Sequence, residues 1–210
     1  MVKISPSTLS VKLENLEEEI LDVEKKGADY IHIDVMDGKF VNNETLGYEM
    51  LKKAHDVTNL PLDTHLMVEN PEDWVEDFLL SNIITFHLEA VNSETAEKII
   101  EYLHEHEIKV GISIKPGTSV EEIIPYLEKI DMVLVMLVEP GLGGQKMIEK
   151  CLDKVKFIRN LKPEMDIEVD GGVNLENIDR IRKAGANIIV AGTAIFSAED
   201  REYVINKLKS

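Results

Sequence analysis

Short apolar runs alternate with longer amphipathic stretches, eight times over, along the whole of this 210-residue chain. The pattern predicts strands at residues 3–7, 30–35, 62–67, 83–88, 109–114, 132–138, 167–169 and 187–191. It predicts helices at 11–26, 46–57, 72–80, 94–106, 120–129, 147–160, 175–183 and 199–208. Parallel strands cannot be joined by tight hairpins and need a crossover, usually a helix. Eight strand–helix units therefore predict an α/β chain of the closed (β/α)8, TIM-barrel type, with one domain over 1–210. An open doubly wound sheet is the alternative, which the unit count disfavours. No Gly/Ser linker or low-complexity tract divides the chain. Ser10 is placed to cap the first helix, Gly27 to stop it and Pro71 to open the third.

A parallel strand covered on both faces should be almost wholly apolar. Here His32 and Asp34 interrupt the second strand, Asp63 and His65 the third, His87 the fourth, and Glu168 and Asp170 the seventh. Alternate residues share a face. His32, Asp34 and Met36 thus project together, while Ile31, Ile33 and Val35 face the helices. In a barrel the polar faces point inward, and residues near the C-terminal strand ends meet at the mouth. Burying such groups unpaired costs roughly 2–7 kcal/mol each. One divalent metal would partner His32, Asp34, His65 and Asp170 at once, and imidazole with carboxylate suits zinc, manganese, iron or cobalt. Singly, each also reads as a hydrogen-bonded core histidine or a turn-capping aspartate. Their joint position at one end of one barrel favours the site. Asp37, next to Gly38, reads as a turn residue.

Glycines gather after the last three strands: Pro140-Gly-Leu-Gly-Gly-Gln145, Gly171-Gly172 and Gly192-Thr193. Glycine lets a backbone approach a ligand closely, and barrels of this type commonly hold phosphate in their last loops. Any one pair alone is ordinary turn chemistry. The spacing of Gly141, Gly143 and Gly144 is not that of a dinucleotide fingerprint. Met36, Met67 and Met136, near three strand ends, read either as core filler or as an apolar floor beneath a ligand.

The net charge of -17 argues against nucleic acid, whose phosphates are held mainly by Lys and Arg. No apolar run reaches the ~18–20 residues of a membrane span, and the first residues lack the apolar core of a signal peptide. The single Cys151 permits no internal disulfide and, among charged neighbours, reads as an unreactive helix-surface thiol. A cytoplasmic protein is expected. His55, His104 and His106 fall among charged residues and read as solvated, and Trp74 as a packing residue.

The ordered set Pro6-Ser7, His32-Ile-Asp34-Val-Met-Asp37-Gly38, His65-Leu-Met67, His87-Leu-Glu89, Val135-Met136, Pro140-Gly-Leu-Gly-Gly-Gln145, Asp170-Gly-Gly172 and Gly192-Thr193 resembles the ribulose-phosphate 3-epimerase family nearly end to end. The resemblance implies a barrel binding one divalent metal (Zn, Fe, Mn or Co) through His32, Asp34, His65 and Asp170, with no organic cofactor. It implies epimerisation at C3 of a phosphorylated ketose, D-ribulose 5-phosphate to D-xylulose 5-phosphate, through a metal-stabilised enediolate. Asp34 and Asp170 would be the acid/base pair on opposite faces of the substrate. Ser7, Met36, His65, Met67 and Met136 would contact it. Gly143, Gly144, Gly172, Gly192 and Thr193 would hold the phosphate, with Gly141 and Gly171 beside them. A homo-oligomer is implied as well.

The chain departs from the family's usual pattern at Asn42, Leu137, Glu139, Leu142 and Met147. These departures touch the loops rather than the proposed metal set, and they leave a hexulose phosphate such as D-allulose 6-phosphate as an alternative substrate. Related decarboxylases carry an Asp-x-Lys motif on a barrel strand, and Met36 stands here in place of that Lys. A non-catalytic sugar-phosphate-binding barrel is the remaining alternative.

Overall fold

In the computed structural model, which describes residues 2–210, all eight expected strands form. They are β1 Lys3–Pro6, β2 Ile31–Met36, β3 Leu62–Met67, β4 Ile83–His87, β5 Lys109–Ile114, β6 Met132–Met136, β7 Asp166–Asp170 and β8 Ile188–Ala191. Every ladder is parallel, and the order β1-β8-β7-β6-β5-β4-β3-β2 sets the first strand beside the last. The seam between β1 and β2 is drawn together by a Ser7–His32 bridge. The Tyr30 N–H donates to the Ile4 carbonyl (3.2 Å), and the Thr8 hydroxyl to the His32 carbonyl (3.0 Å). The result is a (β/α)8 barrel rather than an open sheet.

Helices α1 (Leu16–Lys25), α2 (Gly47–Val57), α3 (Ser93–Glu105), α4 (Leu152–Leu161), α5 (Ile178–Ala184), α6 (Thr193–Phe196) and α7 (Arg201–Lys209) surround it. Each longer helix buries one apolar stripe, such as Leu16, Ile20 and Val23 of α1 or Ala96, Ile99, Ile100 and Leu103 of α3. Those stripes meet Ile31, Ile33, Val35 and their counterparts on the outer strand faces in one continuous core. Among the described residues no helix is long and apolar enough to cross a membrane.

Several boundaries differ from the sequence expectation. The first helix begins at Leu16, not at residue 11. Ser7, not Ser10, caps the chain as it leaves β1, accepting the Leu9 N–H onto its hydroxyl before two short 3-10 turns. The helix expected at 72–80 is a pair of 3-10 turns, Pro71–Asp73 and Val75–Phe78, closed by i to i+3 bonds such as Trp74 N–H to the Pro71 carbonyl. The helix expected at 120–129 is also 3-10, Val120–Tyr126; Pro125 within it removes a backbone donor. The helix expected from 147 starts at Leu152, after a 3-10 turn at Glu149–Cys151. Cys151 itself is buried against the outer core, not on a helix surface, because its side chain turns inward at that turn. The four-residue α6 has no counterpart in the sequence expectation.

The barrel interior is layered. Tyr30, Ile83, Met132 and Ile188 form an apolar plug at the strand beginnings. Further along the strands many inward positions are polar, and Ser5, His32, Asp63, Thr85, Ser113 and Glu168 are all buried. Asp34, His65, His87 and Asp170 come next, nearest the mouth. The polar strand residues thus occupy the inner surface, where they leave the helix-facing core unbroken.

Candidate active site

The mouth holds a cavity of about 290 Å³. Asp34 and Asp170 lie in its wall with Ser7, Met36, Met67 and Met136. Gly141, Gly143, Gly144, Gly171, Gly172, Gly192 and Thr193 line it as well. The structure therefore brings together every expected ligand-contacting residue except His65, which is fully buried behind Asp34 and does not line the cavity. Sequence reasoning passed over Leu9, Ser10, Gln145 and Asn174, which line it too. Gln145 and Asn174 carried a signal, the one closing the Pro140–Gln145 glycine motif and the other lying just beyond the Gly171-Gly172 pair.

Beneath the cavity, one nitrogen each of His32 and His65 and one oxygen each of Asp34 and Asp170 lie within 4.8 Å of one another. His32 Nε2 and His65 Nδ1 are each 3.5 Å from Asp34 Oδ1, and His65 Nδ1 is 3.9 Å from Asp170 Oδ2. Both ring nitrogens are buried and have no hydrogen-bond partner among the described residues. Two orphaned imidazole nitrogens converging with two carboxylates fit a divalent cation, which would satisfy all four.

The surrounding residues set the orientation of the cluster. The Ser7 hydroxyl donates to Asp34 Oδ2 (2.6 Å). His32 Nδ1 lies 2.7 Å from Asp63 Oδ2, which anchors the ring from the far side. Burial works against charge on His32, but the Asp63 and Asp34 carboxylates outweigh it and hold its pKa well above the ordinary histidine value. Burial alone would raise Asp34; the neighbouring His32 and His65 rings prevail and keep it below the usual carboxylate range. Asp170 goes the other way: burial and the Asp34 charge push it up to about 6. Glu168, deeper in the barrel, is driven well above its ordinary value by burial and by the Asp63 charge.

The glycine loops are held from outside. Gln145 donates to the carbonyls of Glu139 (2.7 Å) and Leu142 (2.8 Å), bracing the loop after β6. Asn43 ties that loop to the one after β2 through the Gly141 carbonyl (3.1 Å). Asn177 holds the Gly172 carbonyl at 2.8 Å. Gly192 precedes α6 and its carbonyl accepts the Ile195 and Phe196 N–H groups (2.9 and 3.0 Å), so the first-turn donors that lack an intrahelical acceptor are those of Thr193 and Ala194. Among the described residues, no Lys or Arg lines the cavity.

The five unusual positions mostly point away. Leu137 and Met147 are buried in the outer core, and Asn42 and Glu139 are exposed without lining the cavity. Only Leu142 reaches the cavity, from its rim, with 67% of its surface exposed.

A parallel barrel with an imidazole–carboxylate cluster at the base of a glycine-walled mouth defines a (β/α)8-barrel enzyme site. Among solved structures, a 3-hexulose-6-phosphate synthase superposes with a TM-score of 0.71 over 100% of this chain and 98% of that one; at 17% identity this likeness concerns the fold alone. Residues 3–196 match the ribulose-phosphate 3 epimerase family. The chain is 41% identical over 216 residues to the ribulose-phosphate 3-epimerase of Bacillus subtilis (strain 168), covering 100% of this chain and 99% of that protein. It is 42% identical over 212 residues to the "Ribulose-phosphate 3-epimerase, cytoplasmic isoform" of Oryza sativa subsp. japonica, covering 99% and 92%. The chain belongs to the ribulose-phosphate 3-epimerase family, carbohydrate epimerases of the isomerase class.

Proposed function

We propose that this protein interconverts D-ribulose 5-phosphate and D-xylulose 5-phosphate by moving a proton at C3. The observation that carries this reading is the pair of carboxylates, Asp34 and Asp170, at the floor of one cavity in a chain of this family. Asp34 takes the C3 proton from one face, and Asp170 gives one to the other. The Ser7 hydroxyl, already donating to Asp34 Oδ2, aims the other oxygen of that carboxylate toward the cluster. Met36, Met67 and Met136 supply an apolar wall that keeps water from the reacting carbons. The phosphate lies against the glycine backbone of the last three loops and the first turn of α6. His32, Asp34, His65 and Asp170 would hold one divalent ion. When bound, that ion supplies a positive charge that polarises the ketose carbonyl and stabilises negative charge developing on its oxygen.

The pentulose is favoured over a hexulose phosphate because four of the five unusual positions do not line the cavity. We place the enzyme in the cytoplasm, the compartment in the rice relative's name, and a homo-oligomer remains part of the reading. The test is kcat/KM for D-ribulose 5-phosphate against D-allulose 6-phosphate, with metal content measured on the same sample. The pentulose should be preferred, with about one metal per chain at full activity. A strong hexulose preference overturns the substrate, full activity without metal overturns the ion, and binding without turnover of either sugar overturns the enzyme.

A further inference from the structure

We propose that Glu89, acting through His87, fixes the ring tautomer of His65 and so presents the bare Nδ1 of that ring to the metal cluster. The consequence for metal rests on the reading above; the hydrogen-bond order does not.

His65 Nε2 lies 2.9 Å from His87 Nε2, and His87 Nδ1 lies 3.0 Å from Glu89 Oε2. His87 is fully buried at the end of β4 and packs on the Phe40 ring, with centroids 4.8 Å apart. Glu89 sits at the rim, beyond β4. Its other oxygen accepts the Lys115 N–H (2.7 Å) and the Thr118 hydroxyl. Both partners are donors, so the carboxylate acts as an acceptor throughout.

The order of protons follows step by step. A carboxylate acceptor requires His87 to donate from Nδ1. A neutral imidazole carries one proton, so His87 Nε2 is then a lone pair. The 2.9 Å contact between the two rings is a hydrogen bond only if His65 donates from its own Nε2. That leaves His65 Nδ1 without a proton. This atom is the one 3.5 Å from Asp34 Oδ1, and it has no hydrogen-bond partner among the described residues. An anion at the rim thus sets a lone pair at the centre, two rings away. His32 needs no such chain, because Asp63 holds its Nδ1 directly. Metal-binding histidines are usually oriented by a partner on the second nitrogen, and that partner's loss typically costs about 10- to 100-fold in affinity. Glu89 and His87 are accordingly positioning residues.

The substitutions E89Q and E89A separate this role from packing. In E89Q the side chain keeps its shape but can turn its amide N–H2 toward His87 Nδ1. His87 would then carry its proton on Nε2, facing the His65 N–H, and His65 would have to shift its proton to Nδ1. E89A removes the anion without forcing that inversion. Two readouts are needed: ring 15N shifts of His65 in chelator-treated protein, and cobalt(II) or zinc titration. The wild type should show His65 protonated at Nε2 only. E89Q should show the proton on Nδ1 and bind cobalt(II) at least about ten-fold more weakly, with E89A in between. A packing role predicts the reverse order, since Gln fills the space that Ala leaves empty. Protonation of His65 on Nδ1 in the metal-free wild type, or wild-type cobalt(II) affinity in E89Q, would overturn the inference. If E89Q fails to fold, the wild-type 15N measurement decides alone. If the wild type takes up no divalent ion, the metal reading fails, while the His65 tautomer still decides the relay.

Discussion

Asp34 and Asp170 share one cavity wall but differ in chemistry. Their surroundings push their pKa values in opposite directions. D34N and D170N should each lower kcat by at least about 100- to 10,000-fold, the usual contribution of a positioned acid or base, with the fold retained by circular dichroism. Near-normal turnover in either variant removes that residue from the role. Glycines give a second test. Gly172 has φ +67, and a Cβ there would meet the Met147 nitrogen at 2.5 Å and the Gln145 carbonyl at 2.7 Å, both backbone atoms that cannot step aside. G172A should cost about 1–3 kcal/mol in denaturant unfolding. G143A, whose Cβ would meet only Leu9 at 3.9 Å, should stay within about 0.5 kcal/mol, although it lines the cavity and should raise KM. The polar residues were legible in sequence because each broke an apolar strand. The partnership of Glu89 with Lys115 and Thr118 was not, since strand parity says nothing about which loop folds over which.

At the scale of elements, the strands were easier to read than the helices. Strand faces alternate strictly, and their inner and outer rows matched the barrel. Helix starts depend on caps and on tertiary contact: Ser10 looked like the cap of the first helix, whereas α1 starts after Asn15 with no side-chain cap, and Ser7 caps the 3-10 turn before it. Pro125 was visible in sequence, and it removes a backbone donor inside Val120–Tyr126, which is wound as 3-10 throughout. The four residues of α6 are too few to show a period.

One element-level contact closes the molecule. Arg201, at the start of α7, bonds Glu19 and Asp22 of α1 and donates to the Phe196 carbonyl (3.0 Å) at the end of α6. Hydrogen bonds from Lys26 and then Arg201 hold the Asp22 carboxyl below its ordinary pKa, against the opposing pull of burial. A depressed carboxylate stabilises the fold above its unfolded pKa, and that contribution is lost as pH falls through the folded one. R201A should therefore destabilise by about 1 kcal/mol near pH 7, or roughly 2–4 °C in Tm. The gap to wild type should begin to shrink as pH falls below the ordinary aspartate pKa of about 4 and close once the folded Asp22, whose pKa lies lower, is protonated as well. A gap that is constant from neutral to strongly acidic pH would mean the loss is packing rather than charge.

The whole molecule is acidic, with a net charge of -17, and the residues that line its cavity include no Lys or Arg among those described. On the proposed reading a sugar phosphate would approach against the overall field, and backbone N–H groups would hold it. Salt screens that field, so KM should fall by a few-fold between about 0.01 and 0.15 M ionic strength. A KM that rises with salt would point to an attractive basic patch that the cavity lining does not supply. Fold class was legible at this scale because eight repeats of one unit leave few closures. The substrate was less so, because loop residues that differ from relatives look equally important in sequence. Only their side-chain directions show that Leu137 and Met147 belong to the core.

The most direct test of proton transfer between two faces is the fate of the C3 hydrogen. D-ribulose 5-phosphate with protium at C3 is turned over in deuterated water and followed by NMR at early conversion. Two carboxylates acting on opposite faces predict D-xylulose 5-phosphate that carries solvent deuterium at C3 from the first turnovers. Product that keeps the substrate's own protium would contradict the account.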